Sequence, residues 1–442
     1  MKVVKFGGSS VADAGQFKKV KQIIKNDKSR QIVVVSAAGK SDSEPIKVTD
    51  MLLDLEQVVA SGDDADPLFK SISERIIKIR DDLKLPVKIE NDLQNISQQL
   101  QHCSHDYLIS RGEYLTAKLM AAFLGYYFVD AKDILIFDKQ GLNYPQSQKR
   151  LLNVLASHTQ LVVPGFYGAN ENGSVHLMPR GGSDISGSIL ANLVDAELYE
   201  NWTDVSGILM ADPRIVAHSQ KIDSLTYDEL QELSYMGIGV FQEEAVRPVR
   251  EKHIPTAILN TNQPEAGGTL VVSAHEEKKD DHIVTGIAGR KDCTVITIRK
   301  YQLNKHLEVL QKVLSVFQKF DLAINSVPSG NDGFSFLCQQ CGITAHLPVI
   351  IEKLKQTCGV DSVEVNQNIA LVAAVSLQLS KRPAVAGKIL NYLDNSLIHV
   401  RFVFQEGSDL KIVFGVNNDD YEKTIKRIYR ESMEHHLKRI SA

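Results

Sequence analysis

Little in this sequence commits it to a special environment. No basic stripe marks a nucleic-acid face, and the formal net charge is −4. No apolar run reaches the length of a membrane span; the longest, Leu119 to Val129, is too short. The opening residues do not read as a secretory segment, because Gly7 and Gly8 interrupt the apolar stretch at once. Cysteine is scarce and odd in number, five in 442 residues. That argues against a disulfide framework and for a reducing cytoplasm. Cys338 and Cys341 form the one close pair. With no second pair nearby they read as strand thiols, not as a zinc or redox site. A Walker-type phosphate loop is also missing.

What remains is an ordinary globular balance, 43% apolar and 24% charged. The length suits about two to three domains. Lys2 to Phe6 reads as a strand entering a glycine turn. Ser10 is then a candidate helix cap, with Asp13 in the first turn and Phe17, Val20 and Ile24 on one face. Ile32 to Val35 and Leu161 to Val163 are continuous apolar runs, as expected of strands buried on both faces. The segment from about Asp50 to Gly125 is mostly helical in pattern, and Ser183 to Leu193 reads as a helix. Strands alternating with helices argue for a doubly wound α/β sheet. Ligands then sit at the carboxyl ends of the strands, where the glycine-rich segments after Phe6, Val35 and Val163 fall.

The texture changes after Gly267-Gly268. The charged run His275 to Asp281 is a plausible boundary. Beyond it two units read helix, strand, glycine turn, strand. Ile324 and Ile398 differ by 74 positions, as do Gly333 and Gly407. The equal offset suggests an internal β-α-β-β duplication.

Three segments carry chemistry. Lys5-Phe6-Gly7-Gly8-Ser9-Ser10 places a lysine beside flexible backbone. Arg180-Gly181-Gly182-Ser183-Asp184 precedes a helix start, which offers N–H groups to an anion. Arg180 can grip a carboxylate with two hydrogen bonds. Thr203-Asp204-Val205-Ser206-Gly207-Ile208 follows a strand, with Asp212-Pro213-Arg214 close behind. Taken singly, each has a plain reading: a surface lysine by a turn, two helix caps, a polar loop. Glu113, in Ser110-Arg111-Gly112-Glu113, can pair with an ammonium, though a lone glutamate is more often a solvated helix residue. Ser36 and Thr49 are weaker candidates, since such hydroxyls usually cap locally.

Together and in this order, the segments resemble the aspartate kinases of the amino-acid kinase superfamily. The family pattern K-F-G-G-[ST]-S-V matches Lys5 to Val11, R-G-G-S-D matches Arg180 to Asp184, and T-D-V-x-G-I with D-P-R matches Thr203 to Ile208 and Asp212 to Arg214. A V-V-S-A strand end and an S-x-G-E helix start match Val34 to Ala37 and Ser110 to Glu113. The resemblance implies a mostly parallel α/β sheet sandwich with helices on both faces over residues 1–274. Residues 275–442 would form a regulatory region with two ferredoxin-like ACT domains. It further implies transfer of phosphate from ATP, with Mg2+, to the side-chain carboxylate of L-aspartate, the entry to lysine, threonine and methionine synthesis. Lys5 and Asp184 would be catalytic. Glu113, Arg180, Ser36, Thr49 and Ser183 would hold the amino acid. Lys5, Gly7, Gly8, Ser9, Thr203, Asp204, Asp212 and Arg214 would line the nucleotide. Lysine, alone or together with threonine, would act as a feedback effector near Ser326, Ser329, Gly330, Asn331 and Asp332, and the ACT-like domains would pair subunits into a homodimer or homotetramer. No nucleic acid or membrane partner is expected.

One departure stands out. The family usually carries G-A-K-V-[LI]-H-P, its lysine approaching the nucleotide phosphates. Here Gly239 occupies that lysine's place, and Gln242-Glu243 replaces His-Pro. Arg247 and Lys252 are candidate replacements. Val375-Ser376-Leu377-Gln378 also departs from the V-G-x-G-M start usual in the second regulatory unit. Two other readings stay open: a superfamily kinase for glutamate, acetylglutamate or carbamate, and an amino-acid sensor that has lost turnover.

Overall fold

Lys2–Phe6 is a strand whose neighbours decide everything around it. It pairs in parallel with Arg30–Val35 on one side and with Leu198–Thr203 on the other. The chain leaves this central strand in one direction and later returns to its opposite edge. That reversal opens a crevice at the carboxyl ends. A computed structural model describes residues 1–239, 243–273, 283–303, 306–320, 322, 324–327, 329–330, 332–339, 343, 346–381, 384–393, 397–405 and 410–440. It divides into two units. The first takes Met1–Ile208, Lys221–Leu230 and Gly239–Asp280; the second takes Leu209–Gln220, Gln231–Ile238 and Asp281–Ala442.

In the first unit an eight-stranded sheet runs Ser224–Thr226, Gly268–Val272, Thr256–Asn260, Leu198–Thr203, Lys2–Phe6, Arg30–Val35, Leu161–Pro164, Tyr127–Phe128. Neighbours from Thr256–Asn260 to Tyr127–Phe128 are parallel, and Gly268–Val272 is antiparallel to Thr256–Asn260. Alternation along Lys2–Phe6 sends Val4 and Phe6 into a core with helices Ala14–Lys25, Val48–Ser61, Asp66–Asp82 and His105–Leu124. Val3 and Lys5 take the other face, which helix Gly182–Leu193 covers. There a Cβ on Gly187 would meet the Tyr199 ring. A four-stranded sheet (Gly141–Leu142, Ile136–Asp138, Tyr167–Asn170, Val175–Leu177) flanks this body.

The first helix departs from expectation in detail. Gly8–Val11 is a 3₁₀ turn, and Asp13, not Ser10, caps helix Ala14–Lys25 by accepting from the Gln16 N–H. Ser10 instead lies 2.7 Å from Thr261 Oγ1. The long helical stretch resolves into four helices, Val48–Ser61, Asp66–Asp82, Glu90–Gln99 and His105–Leu124. Ser104 caps the last, so Ser110 to Glu113 sit in its middle and not at a helix start.

The second unit is one sheet built from two modules. Gly286–Arg299 and Ser362–Val375 pair antiparallel along their length. At one end Cys293–Arg299 pairs with Gly333–Gln339, which carries Ile324–Ser326; at the other, 369–375 pairs with Lys411–Asn417, which carries Val400–Gln405. Each half has its own core. One gathers Ile296, Ile298, Phe317, Phe336 and Leu354, the other Val372, Ala374, Ile389, Phe414 and Ile428. This is the ACT-type arrangement expected, with each long strand shared between two modules. Cys293 and Cys338 are buried in the sheet, and burial pushes both thiols up to about 11. Gly407 and Cys341 lie outside the described residues. Among the described residues no helix is long and apolar enough to cross a membrane.

Candidate functional site

The strand register determines the first contact. Lys5 lies opposite Asn201 across parallel strands, on the face covered by helix Gly182–Leu193. Its ammonium, buried in the protein, is 2.5 Å from Asp184 Oδ1 and donates to Asn201 Oδ1 at 3.3 Å. Asn201 Nδ2 in turn donates to Asp184 Oδ1 at 3.1 Å. Glu200, next along the strand, points to the opposite face and pairs with Arg30 at 2.8 Å. Asn201 had no motif to mark it. Its signal was a polar residue inside a buried strand.

Two glycine turns meet above this cluster. Gly39 N–H donates to Gly8 O at 2.9 Å. A Cβ on Gly39 would lie 2.4 Å from the Gly8 carbonyl carbon, so this approach admits only glycine. Helix His105–Leu124 closes the third side. Thr116 Oγ1 accepts from the Ala38 N–H at 3.2 Å, and a Cβ on Gly112 would lie 2.8 Å from Ala37 Cβ. This packing brings Glu113 to the cleft while leaving it only 4% exposed. Glu113 Oε2 has no protein partner. Burial pushes the carboxyl up to about 7, partly offset by the Ala37 N–H and the Arg111 charge. Arg111 is itself held over Tyr107 and Tyr114, at 4.3 and 4.5 Å from their ring centres.

The resulting cleft encloses about 780 Å³. Lys5, Gly8, Ser9, Ser36, Thr49, Glu113, Arg180, Ser183, Asp184 and Asp204 all line it, brought together from across the sequence. Ser183 and Asp184 do not cap their helix; Gly181 is its N-cap, with no side-chain hydrogen bond. The first N–H groups of that helix therefore open at the cleft. Gly7 lies behind Lys5 and donates to Trp202 O at 3.0 Å. Thr203 is turned onto its own loop, accepting from the Val205 N–H at 3.1 Å. Asp212 and Arg214 pair with each other at 2.6 Å, group with the second unit and do not line the cleft. Lys40, Lys47, Asp50, Phe166 and Met178 also line it, unmarked by sequence reasoning.

Gly239 is exposed, and a Cβ there would meet nothing within 4 Å. Neither candidate replacement lines the cleft. Arg247 pairs with Glu251 at 2.8 Å, and Lys252 pairs with Asp195 at 2.6 Å. Gln242 lies outside the described residues. In the second unit, Ser326 belongs to the strand Ile324–Ser326, and Ser329 and Gly330 pair with Phe334 and Gly333. Asp332 Oδ1 accepts from the Gln302 N–H at 2.8 Å, and Asn331 lies outside the described residues. A separate cleft of about 530 Å³ opens on the sheet face away from the helices, at Thr297, Ser335, Asn366, Arg401 and Asn417.

A cleft with a buried lysine–carboxylate cluster, a helix N-terminus and a buried carboxylate with one unpartnered oxygen suits transfer of an anionic group between two anions. Comparison with known proteins agrees. The sequence profile of the amino acid kinase family matches residues 1–260. Aspartokinase 3 of Bacillus subtilis is 34% identical over 98% of this chain and 98% of its own length. The crystal structure of Clostridium acetobutylicum aspartate kinase superposes with a TM-score of 0.93 at 40% identity, covering 98% of this chain and 100% of that one. Escherichia coli aspartokinase III, solved with aspartate and ADP, shares the fold at a TM-score of 0.75 and 22% identity. The chain belongs to the amino acid kinase family and, within it, to the aspartate kinases.

Proposed function

We propose that this chain moves the terminal phosphoryl group of ATP onto the side-chain carboxylate of L-aspartate at the Lys5–Asp184 cleft. The acceptor is already an anion at neutral pH, so no general base is needed. The work lies in holding two anions together and stabilising the charge that spreads over the transferring group. Lys5 supplies that charge, held in place by Asp184 and Asn201. The N–H groups opening helix Gly182–Leu193 add fixed positive charge.

The observation that carries the reading is Glu113, a buried carboxylate in the cleft with an oxygen that no protein group satisfies. A substrate ammonium satisfies it. Arg180, exposed at the cleft, is placed to take the α-carboxylate, with Ser36, Thr49 and Ser183 at hand. Gly8, Ser9 and Asp204 line the nucleotide side, with Gly7 and Thr203 shaping their turns. Roles for Asp212 and Arg214 rest on the resemblance alone.

Among the described residues no three His, Cys, Asp or Glu side chains gather into a metal cage. Magnesium on nucleotide phosphates needs only one or two carboxylates, and Asp204 at the cleft fits that donor set. The ion would offset phosphate charge.

The two-module second unit is the place for an amino-acid effector. A relative from Escherichia coli, 23% identical over 98% of this chain, bears the name lysine-sensitive aspartokinase 3. Lysine is therefore the proposed inhibitor, and a reducing cytoplasm the proposed setting. Gly239 favours a second reading, a sensor without turnover. A coupled ADP-release assay with L-aspartate, L-glutamate and N-acetylglutamate decides between them. Turnover with aspartate, suppressed by lysine, is the expected result. Lys5→Ala should lower that turnover by on the order of 10²–10³-fold or more. Parent-like turnover in this variant would remove Lys5 from the mechanism.

A further inference from the structure

The cleft contains two cations to which the mechanism gives no task. Lys40 and Lys47 lie on the loop joining strand Arg30–Val35 to helix Val48–Ser61, Lys47 as its last residue, and both line the cleft. The loop is closed at its base, where the Val48 N–H donates to Ala38 O at 3.0 Å. It is pinched higher up by Ser41 and Glu44, whose backbones exchange hydrogen bonds of 2.9 and 3.1 Å. Arg75 fills its middle. This guanidinium is only 4% exposed and donates to Gly39 O and to Ile46 O. Each clamped carbonyl immediately precedes one of the two lysines. A buried guanidinium is costly to place, so the clamp holds the loop in one shape.

Charge at the cleft gives the lysines a purpose. Four cationic side chains (Lys5, Lys40, Lys47, Arg180) and four acidic ones (Asp50, Glu113, Asp184, Asp204) line it. Lys5 is already engaged with Asp184. Among the described residues neither the Lys40 nor the Lys47 ammonium has an ion pair or hydrogen bond, and both residues are exposed. Lys40 leaves the chain directly after Gly39, whose N–H is bonded to Gly8 in the turn that follows Lys5. Arg180 presents the planar fork that fits a carboxylate, whereas lysines on long free stems suit phosphate oxygens as point charges.

We propose that Lys40 and Lys47 grip the terminal phosphates of the bound nucleoside triphosphate, and that Arg75 is the residue that positions them. The proposal deepens the kinase reading and rests on it. It also accounts for a phosphate site that manages with glycine at position 239.

Calorimetric titration of the full chain with Mg-ATP and with adenosine tests this. Lys40→Gln with Lys47→Gln should weaken ATP binding by about tenfold or more while adenosine binds as to the parent. Arg75→Met should shift the ATP-to-adenosine ratio in the same direction, and Arg75→Lys should restore part of it. Adding Gly239→Lys to the double variant should recover ATP affinity. Unchanged ATP affinity in the double variant would overturn the assignment. So would equal loss for ATP and adenosine, or a rise confined to the KM for aspartate. Should the parent bind ATP but release no ADP with aspartate, the kinase reading fails. The ATP-to-adenosine ratio would still decide the lysines.

Discussion

Glu113 is a carboxylate held where a carboxylate is costly. Its ordinary value of 4.5 is raised by burial to about 7. Between those values the folded chain keeps a proton that the unfolded chain has released. Stability therefore falls as pH rises through that window, by roughly 3 kcal/mol in all, and levels off above it. Glu113→Gln removes this titration. The variant should melt higher than the parent at pH 8 and alike below pH 4.5, read by thermal denaturation at both. An ammonium favours the charged carboxylate, so the parent's KM for aspartate should fall as pH rises through about 7. The Gln variant should lose that dependence and bind aspartate about tenfold or more weakly. A variant no more stable at pH 8, with an unaltered KM profile, would remove Glu113 from substrate binding. At this scale the sequence marked Lys5, Asp184 and Glu113 through their motifs. It did not mark Asn201, Lys40, Lys47 or Arg75. Their roles come from strand register and from a loop whose ends meet only in the fold.

The glycine turns after Lys2–Phe6 and Arg30–Val35 act as one element. Because Gly39 would place a Cβ 2.4 Å from the Gly8 carbonyl carbon, Gly39→Ala must push the turns apart. That shift moves Lys5, Lys40 and Thr49 relative to one another. Turnover should drop by about tenfold or more, because misplacement on this scale disrupts alignment. The melting temperature should fall as well. Unchanged turnover and melting would show that the turns can separate without consequence. Apolar runs made the parallel strands legible, and the alternation of strand and helix made the sheet type legible. Helix His105–Leu124 was harder to place. Its Ser104 cap lies six residues before the motif taken as its start. The long strands of the second unit were missed for a different reason. Asp292, with φ of 56°, sits at a register shift between Arg290 and Cys293. That irregularity breaks the alternation that would have revealed a fourteen-residue strand.

For the whole molecule, the second unit presents a sheet face that its own helices leave uncovered. On the strand Val400–Gln405, half-buried Phe402 and Phe404 stand on that face opposite Gly415 and Val413, their ring centres 6.1 Å apart. Apolar side chains on an uncovered sheet face suit pairing with a second copy. A dimer or tetramer is the expected species in light scattering, and a monomer at every concentration would contradict it. The equal spacing of 74 residues made the duplication visible, but not the fusion of both modules into one sheet. Fusion depends on long-range pairing between Gly286–Arg299 and Ser362–Val375, which no local pattern carries.

The central claim is that a phosphoryl group ends up on the side-chain carboxylate of aspartate. Its product is an acyl phosphate, which hydroxylamine converts to a stable hydroxamate. The most direct measurement incubates the full chain with ATP, magnesium, L-aspartate and hydroxylamine, and identifies the hydroxamate by mass spectrometry. The expected product is aspartyl β-hydroxamate, formed in step with ADP, absent without aspartate and nearly absent in Lys5→Ala. ADP release without hydroxamate, or no ADP release at all, would contradict it.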